Sequence, residues 1–318
     1  TYVTNDPWKG TGHLHDITMT SPTFLDGRLV GFFACTAHLV DVGGRGFGAD
    51  GKSVYEEGLQ IPIMKFAERG KVNGDLIRIL RANVREPNQV VGDFYSLAAC
   101  NDVGHRRLRQ MMREAGIAEI DALGEFIFRR SREATLAQIR KLPRGSWTNE
   151  LVTDGYDAPV RLVATITIGD DEVTVDFTGS DPVSRWGINV PQIYSKAYAS
   201  YALKCAFAGD IPNNAASLSL FSVTSPPNIL NAARPAPVSL RHVIGHLVPD
   251  LVLGALAKAL PGQVLAEGAG ALWNIHMSLR PVAGQPGRRA EVLMFNSGGM
   301  GARPGRDGSP HVRHGRAA

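Results

Sequence analysis

Two β-rich runs joined by an Asp-Gly turn constrain the fold of this chain more than any other local pattern. Residues 17–40, ITMTSPTFLDGRLVGFFACTAHLV, place β-branched and apolar residues on both sides of Asp26 and Gly27. Asp-Gly between such runs is a strong hairpin signal, because both residues tolerate the left-handed backbone of a tight turn. The sequence therefore predicts an antiparallel hairpin that returns His38 to the segment preceding Ile17.

The remaining elements alternate irregularly. Apolar residues at helical spacing span 105–142, and Gly116 breaks them into two predicted helices. Further predicted elements are a hairpin at 160–181, helices at 193–208 and 240–260, and a strand that enters a glycine loop at 290–305. Hairpins mixed with helices, without regular β-α-β alternation, predict an α+β or mixed α/β fold.

The length of 318 residues is enough for two lobes. Helical pattern gives way to turn residues and then strands at 142–159, so the predicted lobes are 1–150 and 151–308. The last residues, 309–318, are basic and lack apolar periodicity, which predicts a disordered or aberrant tail.

The charge pattern argues against a nucleic-acid partner, because 34 basic and 30 acidic residues are interspersed and give a net charge of only +4. No apolar run approaches the roughly 18 residues of a membrane span. Cys35, Cys100 and Cys205 lie in apolar surroundings, which predicts buried, reduced thiols. We therefore expect a cytoplasmic protein.

A glycine-dense loop follows the first hairpin at 41–51. Within it, residues 46–53, GFGADGKS, satisfy the phosphate-loop pattern G-x-x-x-x-G-K-S. That pattern binds phosphate only where the loop leads into a helix, whose free N–H groups face the anion. Because Gly58 and Pro62 interrupt any helix after the loop, we expect an active-site loop. Nucleotide binding through Lys52 is kept as an alternative.

The segment His13-Leu14-His15-Asp16 packs three potential metal ligands into four positions. Two imidazoles and a carboxylate suit Zn, Mn or Fe and leave positions open for substrate. If the segment is extended, His13 and His15 share a face; if it is bent, His13 pairs with Asp16. His38 is a candidate third ligand, brought close by the hairpin. The competing interpretation is that these histidines only form local hydrogen bonds.

Two acidic residues flank the glycine loop. Asp41 precedes it and Glu57 follows it, and both are candidates for general-base catalysis or for supporting the ligands. The alternative for each is an ordinary loop carboxylate that faces water or caps a helix.

Several longer stretches resemble the landmarks of the hydantoinase B family. They are NDPWKGTGHLHDIT, FFACTAHLVDVGGRGFG, EEGLQIPIMK, RANVREPNQVVGD, DFTGSDP, IPNNAA and FNSGGMGARPG. This family includes one of the two subunits of ATP-dependent N-methylhydantoinase, the corresponding half of 5-oxoprolinase, and the large subunits of acetone and acetophenone carboxylases. The resemblance covers residues 5–308.

The resemblance implies a divalent metal bound by His13, Asp16 and His38, with His15 as a neighbour and not a ligand. Manganese is expected, because acetone carboxylases use it, with zinc or iron as alternatives. The resemblance also implies a hetero-oligomer with a hydantoinase A-like ATPase subunit, which uses ATP to phosphorylate the substrate oxygen.

The expected function is ATP-dependent hydrolysis of a cyclic amide, of the hydantoinase or 5-oxoprolinase type. A ketone carboxylase subunit is the first alternative, and a phosphate-loop nucleotide-binding protein is the second. Because family members extend further at both ends, we expect this sequence to be an internal fragment of a longer chain.

Overall fold

A computed structural model describes residues 1–270, 272–281 and 290–309 of the chain. Its strands are β1 (Tyr2–Thr4), β2 (Asp16–Leu25), β3 (Arg28–His38), β4 (Met64–Lys65), β5 (Ala67–Glu68), β6 (Lys71–Val72), β7 (Gly145–Thr153), β8 (Val160–Ile168), β9 (Val173–Asp176), β10 (Phe221–Thr224), β11 (Leu272–Leu279) and β12 (Ala290–Ser297). Its α-helices are α1 (Gly74–Asn83), α2 (Pro87–Glu114), α3 (Asp121–Ile139), α4 (Gln192–Phe207), α5 (Ala215–Leu218), α6 (Arg241–Gly245) and α7 (Val248–Ala259). This composition confirms the predicted mixed α/β class, and the tail residues 310–318 lie outside the described residues.

The first sheet has the strand order β3-β2-β1-β4 and is antiparallel throughout. Side chains of β2 alternate, so that Ile17, Met19 and Leu25 are buried while their neighbours are more exposed. Helix α2 covers the hairpin β2-β3; for example, Asn101 Nδ2 donates to the Met19 carbonyl at 3.2 Å. The predicted first hairpin is therefore confirmed, and its inner face forms part of an apolar core.

A one-residue irregularity sets the register of this hairpin. Next to the turn Leu25 pairs with Arg28, but between Thr23 and Phe24 the register shifts by one residue. Beyond the shift Asp16 lies directly opposite His38; the unshifted register would have placed Ala37 there. Because side chains alternate between faces, this bulge decides that a histidine and not an alanine meets Asp16.

The second sheet has the order β10-β9-β8-β7, with β9 and β10 parallel and the other pairs antiparallel. Helices α4 and α7 pack with this sheet around a second cluster of buried apolar residues, which includes Leu162, Ile166 and Leu256. Strand β7 lies inside the stretch 142–159, for which the sequence suggested turn residues. The predicted hairpin at 160–181 and the predicted helix at 193–208 are confirmed.

Three expectations are corrected by the structure. The helix predicted at 240–260 is two helices, α6 and α7, because Pro249 lacks the N–H that a continuous helix needs. The first helix predicted within 105–142 begins much earlier, at Pro87. The thiols are free but not uniformly buried: Cys35 is half-buried, whereas Cys100 and Cys205 lie on exposed helix faces. Among the described helices none is both long and apolar enough to cross a bilayer.

Asn5 holds the N-terminal segment against the rest of the first sheet. Its side-chain Nδ2 donates to the carbonyls of Leu14 and Leu59 at 2.8 and 2.9 Å, and its Oδ1 accepts from Ile61 N at 2.6 Å. Asn5 is almost fully buried. Because Leu14 stands between His13 and His15, this residue fixes the backbone that carries both histidines.

We expect Asn5→Ala to lower the free energy of unfolding by about 2–4 kcal/mol, because it leaves three buried backbone groups without partners. Urea denaturation measures this loss. Asn88→Ala is the matched control, since Asn88 forms one exposed hydrogen bond to Arg81 and its loss should cost less than about 0.5 kcal/mol. Equal losses in the two variants would contradict the role assigned to Asn5.

Candidate metal centre

A bend at residues 12–15 brings His13 and Asp16 together, which is the bent alternative that the sequence left open. Gly12 has a φ of 97°, and a Cβ there would lie 3.3 Å from both Arg241 Nε and Tyr194 Cβ. Glycine is therefore needed both for the backbone conformation and for the close approach. After the bend, His13 Nε2 lies 2.9 Å from Asp16 Oδ1.

The Asp16 carboxylate is contacted from two directions. His38, the cross-strand partner of Asp16, places its Nδ1 2.8 Å from the same Oδ1 that faces His13. On the other side, Arg241 donates from its terminal nitrogen to Asp16 Oδ2 at 2.9 Å. Arg241 also donates through Nε to the Thr11 carbonyl, and its guanidinium lies 4.5 Å from the centre of the Tyr194 ring. The carboxylate is thus fixed, with one oxygen turned toward the histidines.

Burial and charge together set the ionisation of this cluster. Burial by itself raises the pKa of Asp16, but the contacts with His13 and His38 outweigh it and hold the pKa well below its usual range. Burial, followed by the charge of Arg241, lowers the pKa of His13 to about 4. His13 is therefore a neutral imidazole, and Asp16 an anion, at neutral pH.

The atoms of this cluster fit a bound divalent cation. One ligand atom from each of His13, Asp16 and His38 can be chosen so that all three lie within 4.8 Å of one another. Among the described residues, the buried Nε2 atoms of His13 and His38 have no hydrogen-bond partner. His13 Nδ1 contacts the Ser239 carbonyl at 2.9 Å, which in the neutral ring assigns the proton to Nδ1 and leaves the lone pair on Nε2. Metal-binding histidines are usually oriented in this way.

The glycine loop brings an aromatic side chain onto the cluster. Phe47 packs edge-on against His13, His15 and His38, with ring centres 4.7–5.7 Å apart. Phe295, at the end of β12, approaches His38 to 5.3 Å. The two phenylalanines make the surroundings apolar, while the His38 side chain remains 26% exposed. The cluster is therefore reached from the side of His38.

Sequence reasoning missed the residues that α6 contributes. Arg241 pairs with Asp16 across 225 positions of sequence, and no local pattern announces such a contact. His242 stacks on Phe47 with ring centres 5.6 Å apart, and His246 follows one turn later. The spacing of His242 and His246 on a helix was a usable signal, since it places two imidazoles on one face. Burial is the largest cause that lowers their pKa values, to about 3 and about 4.

The two predicted acidic residues occupy different positions from those expected of a general base. Glu57 is buried, and its Oε1 accepts from the backbone N–H groups of Val238 and Ser239 at 2.6 and 2.8 Å. It therefore positions the carbonyl of Ser239 that orients His13. Both oxygens of Asp41 are engaged, by Gly43 N and by the backbone and side chain of Arg85. These contacts favour a structural role for Asp41 over the predicted catalytic one.

The phosphate-loop match at 46–53 lacks the helix that such a loop requires. It is followed by a single 3-10 turn, Val54–Glu56. Lys52 does not project into the loop: its Nζ lies 3.4 Å from the centre of the Trp186 ring. The loop instead carries Phe47, so its role in this fold is to cover the histidines.

The fold and this cluster define a member of a known enzyme family. The sequence matches the profile of the hydantoinase B/oxoprolinase family over residues 1–317. The chain belongs to this family, as its motifs predicted.

Three relatives illustrate the similarity. A D-/L-hydantoinase component of Pseudomonas sp. (strain NS671), so named for its similarity to such enzymes, is 32% identical over 97% of this chain. The crystal structure of ATP-dependent caprolactamase from Pseudomonas jessenii superimposes with a TM-score of 0.88 at 27% identity, over 98% of this chain and 55% of that one. An acetone carboxylase superimposes with a TM-score of 0.87 at 17% identity, over 98% and 44%.

The chain spans about half the length of the curated relatives it matches, 54% for the hydantoinase component. The family is therefore established by sequence, and the overall fold is shared with both solved structures.

The buried position of Glu57 predicts a pH-dependent stability. Burial raises the pKa of Glu57 from its ordinary value of 4.5 to about 7, although the two backbone N–H groups oppose the shift. Between these values the folded protein keeps a proton that the unfolded chain has released, so stability falls as the pH rises. The slope approaches about 1.4 kcal/mol per pH unit and ends above the folded pKa.

Glu57→Gln keeps an oxygen for both N–H groups and should lack this slope, so urea denaturation from about pH 5 to about pH 8 should show the variant gaining on the wild type. Glu56→Gln, at the exposed neighbouring position, is the control and should follow the wild type. Parallel stability curves for Glu57→Gln and the wild type would contradict the buried, protonated state.

Proposed function

We propose that this chain is the cation-binding component of an ATP-dependent enzyme that hydrolyses a cyclic amide. The observation that carries the proposal is the convergence of His13, Asp16 and His38, two of which bear buried nitrogens without partners among the described residues. The names of the relatives support this reaction, since one is a hydantoinase component and another an ATP-dependent caprolactamase.

The ligand set suits Mn, Zn or Fe. When bound there, a divalent cation supplies positive charge that polarises a carbonyl oxygen and makes water more acidic. The residues of the chain prepare that position. Ser239 orients His13, Arg241 occupies Asp16 Oδ2 so that Oδ1 faces inward, and the hairpin register supplies His38.

The surroundings suit a small, uncharged, partly apolar ring. The charge of Asp16 is offset by Arg241, and the neighbouring His13 is neutral at neutral pH. Phe47 and Phe295 offer aromatic faces beside the exposed edge of His38. A lactam, a hydantoin or 5-oxoproline presents a planar amide on such a ring, and packing on the phenylalanines would hold its carbonyl toward the cluster.

We assign the use of ATP to a hydantoinase A-like partner subunit, with which this chain forms a hetero-oligomer. The missing helix after residues 46–53 and the contact of Lys52 with Trp186 support this assignment. Transfer of a phosphoryl group to the amide oxygen, with loss of ADP, weakens the resonance that protects the C–N bond. Water then adds to the carbon, the C–N bond breaks, and phosphate leaves.

Hydrolysis is favoured over the alternative, carboxylation of a ketone. The acetone carboxylase shares only 17% of its residues with this chain, which establishes a common fold and no more, whereas the hydantoinase component shares 32%. The assay is made on the complex with the partner and ATP. Oxygen from labelled water should enter the product, and labelled bicarbonate should not. Incorporation of bicarbonate would replace the hydrolase by the carboxylase.

Removal of any one ligand should remove the cation. We expect His13→Ala, Asp16→Ala and His38→Ala to weaken metal binding by more than roughly 100-fold, the upper range for residues that only support ligands. Metal analysis of the purified variants, together with their activity in the complex, measures this. His105→Ala is the control, since His105 lies on α2 and contacts Thr23. Full occupancy in all three variants would exclude the proposed site.

A further inference from the structure

His15 is the neighbour of the predicted ligands that sequence reasoning set aside. Its side chain is fully buried, and among the described residues neither of its ring nitrogens has a hydrogen-bond partner. A neutral imidazole carries one donor and one acceptor, and leaving a buried polar group unpaired costs about 1–3 kcal/mol. Such a ring needs a partner that the protein itself does not provide.

The chain holds the His15 ring in place from two sides. Its backbone carbonyl accepts from Leu39 N at 2.7 Å, which ties it to the residue after His38. Its ring packs edge-on against Phe47 with centres 4.7 Å apart. The unpaired nitrogens are therefore part of an ordered structure, close to the end of β3.

The three histidine rings form a nearly equilateral triangle. Their centres are 5.2 Å apart for His13 and His38, 5.6 Å for His15 and His38, and 5.7 Å for His13 and His15. Three imidazoles that bind one tetrahedral ion, each through a nitrogen at about 2.0–2.1 Å, place their ring centres roughly 5 Å apart. The observed triangle thus has the size that a shared ion requires.

We propose that His15 is a fourth protein ligand, so that the centre consists of three histidines and Asp16. This inference rests on the cation site of the proposed function and deepens it. Imidazole ligands favour zinc and iron, whereas carboxylate and water favour manganese. The added imidazole therefore shifts the preference of this chain from manganese toward zinc or iron.

The first test counts imidazoles in the full-length chain loaded with zinc, by X-ray absorption spectroscopy. Three imidazoles per zinc support the assignment of His15. Two imidazoles per zinc overturn it and leave the site of His13, Asp16 and His38 intact. A chain that takes up no zinc, manganese or iron overturns the proposed function as well, so the two failures are distinguishable.

The second test compares zinc and manganese affinities of the wild type with those of His15→Asn, measured by competition with a chelator. We expect zinc affinity to fall by about tenfold or more and manganese affinity to fall less. Unchanged affinities, or equal losses for both metals, would overturn the proposal. His105→Asn is the matched control and should bind both metals as the wild type does. If His15→Asn does not fold, the imidazole count in the wild type decides.

Discussion

The arrangement of this protein depends on one buried anion, the carboxylate of Asp16. Taking a carboxylate out of water is costly unless it is paired and hydrogen-bonded. Here the pairing comes from both parts of the chain, with His13 and His38 on one oxygen and Arg241 on the other. The same contacts that stabilise the anion gather the histidines around it, so that stability and the candidate function share one set of interactions.

The path from Asp16 to the second part of the chain is continuous. Arg241 begins helix α6, and Ser239, two residues before it, orients His13. Glu57 in turn binds the backbone of Ser239 from below the glycine loop. A change in the loop that carries Glu57 is therefore expected to reach the histidines through the backbone of α6, without direct contact to them.

The sequence predicted the parts of this site that depend on local pattern. Asp26 and Gly27 indicated the hairpin, and the ligand types in HLHD, with the family resemblance, indicated His13, Asp16 and His38 as a metal-binding set. The bulge near Thr23, which decides that His38 and not Ala37 faces Asp16, arises from packing of the hairpin and has no local signature. Arg241 and Phe47 were missed because their contacts join distant segments. Glu57 was noticed, but its buried backbone contacts could be seen only in the fold.

The central claim is that the side chains of His13, Asp16 and His38 bind one divalent cation. The most direct measurement is a crystal structure of the zinc-loaded protein with anomalous diffraction recorded on both sides of the zinc absorption edge. We expect a single strong anomalous peak between Asp16 Oδ1 and the rings of His13 and His38. A peak elsewhere with none at this cluster, or no zinc peak at all, would contradict the claim.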